Sequence, residues 1–214
     1  CDEGAEEACA KTTSSMRELG VGFVLLVSTR ETCEGAGAGE CCAVSKGTGV
    51  GDGDSTIPSF LPRWQHAGAA LELGFDVLLL GTPAPLFADP LSGLRDVRTS
   101  AANGADTPVP LIGLKHDGDD GTPFSSRMLL LRAGAEAVSV SRAVLSRASL
   151  FARAAATADL TARATVLAGT GLHGRCVDMP TQLVTSEDAL LNDVLESLAL
   201  HTAVHTRARR ICDY

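Results

Sequence analysis

The chain has 214 residues, of which 45% are apolar and 21% charged, and a formal net charge of −8, a composition ordinary for a folded globular protein. Its longest apolar stretches, such as Val21 to Val27 and Val77 to Leu80, fall well short of the ~20 residues that a membrane-spanning helix needs. With that excess of acid and no basic run longer than Arg207-Ala208-Arg209-Arg210, most of the surface repels a phosphate backbone, and nucleic acid is not an expected partner.

In chain order, residues 2 to 19 suit a helix, with acidic residues early and Lys11 and Arg17 later, as the helix dipole favours. VGFVLLVSTR follows as a continuous β-branched and aliphatic run, the pattern of a parallel strand buried on both faces. From Gly35 to Pro58 glycine-rich loops surround one short strand at Cys42 to Ser45. RWQHAGAALELG predicts a helix with Trp64, Ala67, Leu71 and Gly68 on one face and Gly74 as its C-terminal cap. A strand from Phe75 to Leu80 comes next.

Residues 92 to 123 are polar, with a weak strand expected near Val109 to Leu114 and an exposed loop after it. RMLLLR, residues 127 to 132, reads as a strand, and residues 134 to about 164 as a helix by their alanine-rich pattern. TSEDALLNDVLESLAL opens with Thr185-x-x-Asp188, similar to a capping box, and carries Leu190, Leu191, Val194, Leu195 and Leu198 on one face. A short strand around Ala203 to Thr206 is expected to close the chain. With no repeat and no linker in this alternation, a single α/β domain over residues 1–214 is the economical reading.

The seven cysteines, Cys1, Cys9, Cys33, Cys41, Cys42, Cys176 and Cys212, show no C-x-x-C spacing of the kind zinc uses. Disulfides are the expectation, in an oxidising lumen or outside the cell, with one thiol left over. The chain starts at a cysteine and not at a methionine, so a processed N-terminus is expected, with any address segment removed.

Three local motifs invite chemistry. GTGLHG, residues 169 to 174, satisfies G-x-G-x-x-G, but Pro180 falls where the helix of a dinucleotide site would run, and a surface turn is the reading. HDGDDG offers Asp117, Asp119 and Asp120 as weak candidates for a cation, yet the twelfth position counted from Asp117 is Met128, where an EF-hand loop needs glutamate. His201 and His205 lack the glutamate and third ligand of an H-E-x-x-H site. Asp178, Glu187 and Asp188 read as loop and cap residues, not as general acids.

Four longer stretches carry a resemblance: MRELGVGFVLLVSTRETCEGAGAGECC, WQHAGAALELGFDVLLLGTPAPLFADPL, FSSRMLLLR and SEDALLNDVLESLALHTAVHTRARRICDY. In their order and hydrophobic framework they resemble the nucleotide-diphospho-sugar transferase family, the GT-A-fold glycosyltransferases of plants and algae. The resemblance implies a Rossmann-like α/β sandwich with a mostly parallel central sheet flanked by helices. It also implies a shortened N-terminus, because the family's first strand should precede residue 10 and no strand-like segment stands there.

In that family the second of these stretches ends its strand in D-x-D, whose carboxylates hold a divalent cation across the diphosphate of a sugar-nucleotide donor. The positions aligned with it here are Gly81, Thr82 and Pro83, and only the acidic-proline pair that follows survives, as Asp89-Pro90. The family's Asn-Ser-Gly or Asn-Thr-Gly on the acceptor side corresponds to Ser125, Ser126 and Arg127, and its Asp-Gln before the last helix to Ser186 and Glu187. The acidic residue that ends its second strand corresponds to Arg30.

A framework kept while the polar positions are lost implies a non-catalytic, glycosyltransferase-like structural or interaction subunit. Protein partners in a larger assembly are expected, with no catalytic residue, no metal and no cofactor. The expected place is an oxidising or organellar lumen, whether of the secretory route, the cell surface or a chloroplast, and an algal source would admit a lumenal accessory subunit of a photosynthetic complex. Two alternatives stay open. One is a metal-dependent glycosyltransferase using manganese or magnesium with a nucleotide-sugar, the metal held by Asp89, Asp117 or Asp119. The other is a carbohydrate-binding module, against which stand a single Trp and a single Tyr for stacking on sugars.

Overall fold

The computed structural model describes residues 6–20, 25–27, 34, 42–44, 60–80, 87–89, 94, 98–100, 106–115, 124–162, 165 and 187–198. They form a mixed α/β protein whose chain divides into two compact units, Cys1–Asp52 with Leu80–Val109, and Gly53–Leu79 with Pro110–Tyr214. Among the described residues no helix is long and apolar enough to cross a membrane.

In the first unit, α1 spans Glu6–Glu18. Cys9, Thr12, Thr13 and Ser15 are buried on it. A buried hydroxyl needs an acceptor, and here the helix supplies its own: Thr12 donates to the Ala8 carbonyl at 2.9 Å, Thr13 to Ala10 at 3.0 Å and Ser15 to Thr12 at 2.8 Å. Cys9 is disulfide-bonded. Strands β1 (Leu25–Val27) and β2 (Cys42–Val44) pair in parallel, Leu25 opposite Cys42. Further along, β4 (Arg98–Ser100) and β5 (Asp106–Pro108) form an antiparallel pair.

The second unit holds the main core. Helix α2 (Leu61–Glu72) buries Leu61, Trp64, Ala67 and Leu71, the face that 3.6-residue spacing predicts. Its end is a Schellman turn: Gly74 adopts φ +87°, its N–H reaches the Leu71 carbonyl at 3.0 Å, and the Phe75 N–H reaches the Ala70 carbonyl at 3.0 Å. The left-handed backbone at Gly74 is the reason glycine stands there. Strand β3 (Val77–Leu80) follows. Helices α3 (Ala135–Ala156) and α4 (Glu187–Ser197) complete the unit, with Val140, Val144, Phe151, Leu190, Leu191 and Val194 fully buried.

This unit carries a three-stranded sheet in the order β3-β7-β6, where β6 is Leu111–Lys115 and β7 is Phe124–Leu131. Its strands run antiparallel, which corrects the mostly parallel sheet expected from the sequence. Only residues 116–123 connect β6 to β7, and a connection so short makes a hairpin, whereas parallel strands need a crossover of about a dozen residues or more. The mostly parallel sheet is what the resemblance implied; the apolar run read as a parallel strand, VGFVLLVSTR, contains β1, which does pair in parallel with β2. In β7 the consecutive residues Leu129, Leu130 and Leu131 are all buried, so this second run reports a strand covered on both faces and carries no information on its direction.

A second correction concerns α3, which stops at Ala156 and not near residue 164. Thr157 turns the backbone extended, at φ −92° and ψ 112°, while its hydroxyl donates to the Arg153 carbonyl at 2.8 Å. The Asp159 carboxylate then accepts the Ala162 N–H at 2.7 Å and starts a separate helical turn. Short polar side chains of this kind compete with the helix backbone for its own partners, and they outweigh the alanine-rich propensity here.

Candidate functional site

The pairing of β6 with β7 contains a break. Gly113 lies opposite Leu129 but the next residue, Leu114, lies opposite Ser125, so Ser126, Arg127 and Met128 stand out of the β6 ladder as a bulge. A bulge leaves backbone groups in need of partners. Both polar groups of Ser126 are met by side chains from the helices: its N–H donates to the Asp188 carboxylate at 2.6 Å, and its carbonyl accepts from the Arg63 guanidinium at 3.1 Å. The Arg127 N–H donates to the Ser125 hydroxyl at 3.2 Å.

Arg63 stands in the first turn of α2 and Glu187 opens α4. Their side chains form a two-pronged ion pair, Arg63 Nε to Glu187 Oε1 at 3.0 Å and Nη2 to Oε2 at 2.5 Å. Both are largely buried, with 15% and 14% of their side-chain surfaces exposed, so the pair works in a medium that screens it weakly. Trp64 is fully buried, and its indole N–H donates to Glu187 Oε1 at 2.6 Å. A buried tryptophan needs that one acceptor, and the carboxylate provides it. Burial pushes the Glu187 carboxyl above the usual carboxylate range, with the nearby Asp188 charge adding to the rise, while Arg63 and Trp64 pull against it.

One turn further along α4, Asn192 is 4% exposed and binds both backbone groups of Phe124. Its Oδ1 accepts the Phe124 N–H at 3.0 Å, and its Nδ2 donates to the Phe124 carbonyl at 2.8 Å and to the Asp188 carbonyl at 2.7 Å. Asp188 and Asn192 are four residues apart, so one helical face presents both to β7. A second largely buried ion pair, Arg147 with Asp193 at 3.2 Å, joins α3 to α4.

Of the positions nominated from sequence, the structure brings Ser126 and Glu187 together through Arg63. Ser125 and Ser126 are buried, whereas Arg127 is exposed. Gly81, Thr82, Pro83, Ser186, Asp117, Asp119 and Asp120 lie outside the described residues, as do Arg30, Asp178, the GTGLHG turn, His201 and His205. Asp89 is half-buried. Among the described residues no group of three or more His, Cys, Asp and Glu side chains is placed to hold a metal ion.

Sequence reasoning passed over Arg63 and Asn192, and it treated Asp188 as a helix cap. A signal was present for Asn192, an amide amid the leucines and valines of an otherwise apolar helix face. Arg63 offered none, since its partner Glu187 lies 124 residues away.

No family model, no curated protein and no solved structure matches this chain.

Proposed function

We propose that this chain is a non-catalytic, glycosyltransferase-like structural or interaction subunit of a larger protein assembly, working in an oxidising or organellar lumen. The observation that carries this reading is the use made of Glu187. In the resemblance its position belongs to a polar pair ahead of the last helix. Here its carboxylate is turned inward, bonded by Arg63 and Trp64, in a cluster that closes the bulge of β7. A carboxylate with its oxygens occupied in this way holds elements together and offers little to a ligand.

Three of the four stretches that carry the resemblance meet in this cluster: Trp64 with its neighbour Arg63, then Ser126, then Glu187 with Asp188 and Asn192. Their joining supports a framework kept for its shape, with these stretches tied to one another by buried polar contacts. The disulfide at Cys9 supports an oxidising compartment.

The test is calorimetric titration of the folded chain with a panel of nucleotide-sugars and a panel of free sugars, each with and without manganese. Folding is verified beforehand by the near-ultraviolet signal of the single tryptophan, Trp64. No heat of binding is expected from any donor or free sugar. Metal-dependent binding would overturn the proposal in favour of a transferase with a relocated metal site, and binding of sugars alone would overturn it in favour of a carbohydrate-binding module.

A further inference from the structure

We draw no further inference here: the strongest candidate, the apolar patch of Leu73 and Phe75 on the turn between α2 and β3, 76% and 63% exposed, carries none because nothing in the structure shows what covers it.

Discussion

The Asn192 side chain pairs with Phe124 as a neighbouring strand would, accepting from the Phe124 N–H at 3.0 Å and donating to its carbonyl at 2.8 Å. An amide is the only uncharged side-chain group of this size that presents an acceptor and a donor side by side. Replacing Asn192 with leucine would keep the bulk and strip both partners from a buried backbone, a loss of about 2 kcal/mol or more. Replacing it with aspartate would keep the acceptor but bury a charge against two carbonyls, and a larger loss is expected. Urea unfolding of the two variants beside the parent chain reads both effects. Equal stability of all three would show that the pair with Phe124 contributes nothing.

The Arg63–Glu187 pair is expected to behave as a coupled unit. Removing either side chain leaves the other charge largely buried without its main partner, and Arg63→Ala and Glu187→Ala are each expected to cost about 3 kcal/mol. The double variant should cost less than their sum by about 1 kcal/mol or more, since neither charge is then stranded. The exposed pair Arg142 and Glu72, with 70% and 51% of their side-chain surfaces open to solvent, is the control, with a coupling below about 0.5 kcal/mol. A double-mutant cycle on each pair decides the matter. Additive losses at Arg63 and Glu187 would place the pair among ordinary surface contacts.

Stability should also change with pH through Glu187. Burial raises its carboxyl above the ordinary value of 4.5. As pH rises, the unfolded chain therefore gives up this proton first, and within the window the folded state binds more protons than the unfolded one. The contribution of Glu187 is full below the ordinary value and declines until pH has passed the raised one. The stability of the parent chain relative to Glu187→Gln, which does not titrate, should fall with pH over that interval and then level. Unfolding measured from below that value to neutrality tests the sign. A relative stability that rises with pH would mean that Arg63 and Trp64 hold the carboxyl below its ordinary range.

Much of the second unit was legible in local pattern. Trp64, Ala67 and Leu71 recur at helical spacing, Gly74 marks the end of that helix, and the structure keeps all four in those roles. The parallel pairing read from the apolar run around Leu25–Val27 was met, but the direction of β7 was not legible, because the apolar run through Leu129, Leu130 and Leu131 depends on what covers each face and is indifferent to which way a neighbour runs. The site was half legible. Glu187 and Ser126 were picked out by alignment of motifs, but the reason they meet is the β7 bulge, and a bulge follows from the register of two strands. Arg63, which completes the cluster, reads in isolation as a solvated charge beside a core tryptophan.

A tight contact between α2 and α3 gives a last prediction. A methyl group added at Gly68 would stand 2.8 Å from the Ser141 hydroxyl oxygen, which is itself buried and donates to the Trp64 carbonyl at 3.2 Å. To admit the methyl, that hydroxyl must leave its acceptor or the helices must separate. Alanine would otherwise favour the helix over glycine by about 1 kcal/mol, but overpacking of a fitted contact costs roughly 1–3 kcal/mol. Gly68→Ala alone is therefore expected to destabilise. In the Ser141→Ala background the obstructing oxygen is gone and the remaining Cβ lies 3.8 Å from the new methyl, an ordinary contact. There the same substitution should be neutral or stabilising. Thermal unfolding of the two single variants and the double variant separates the outcomes, and a Gly68→Ala loss that persists without the Ser141 hydroxyl would show that the backbones, and not this side chain, set the distance between the helices.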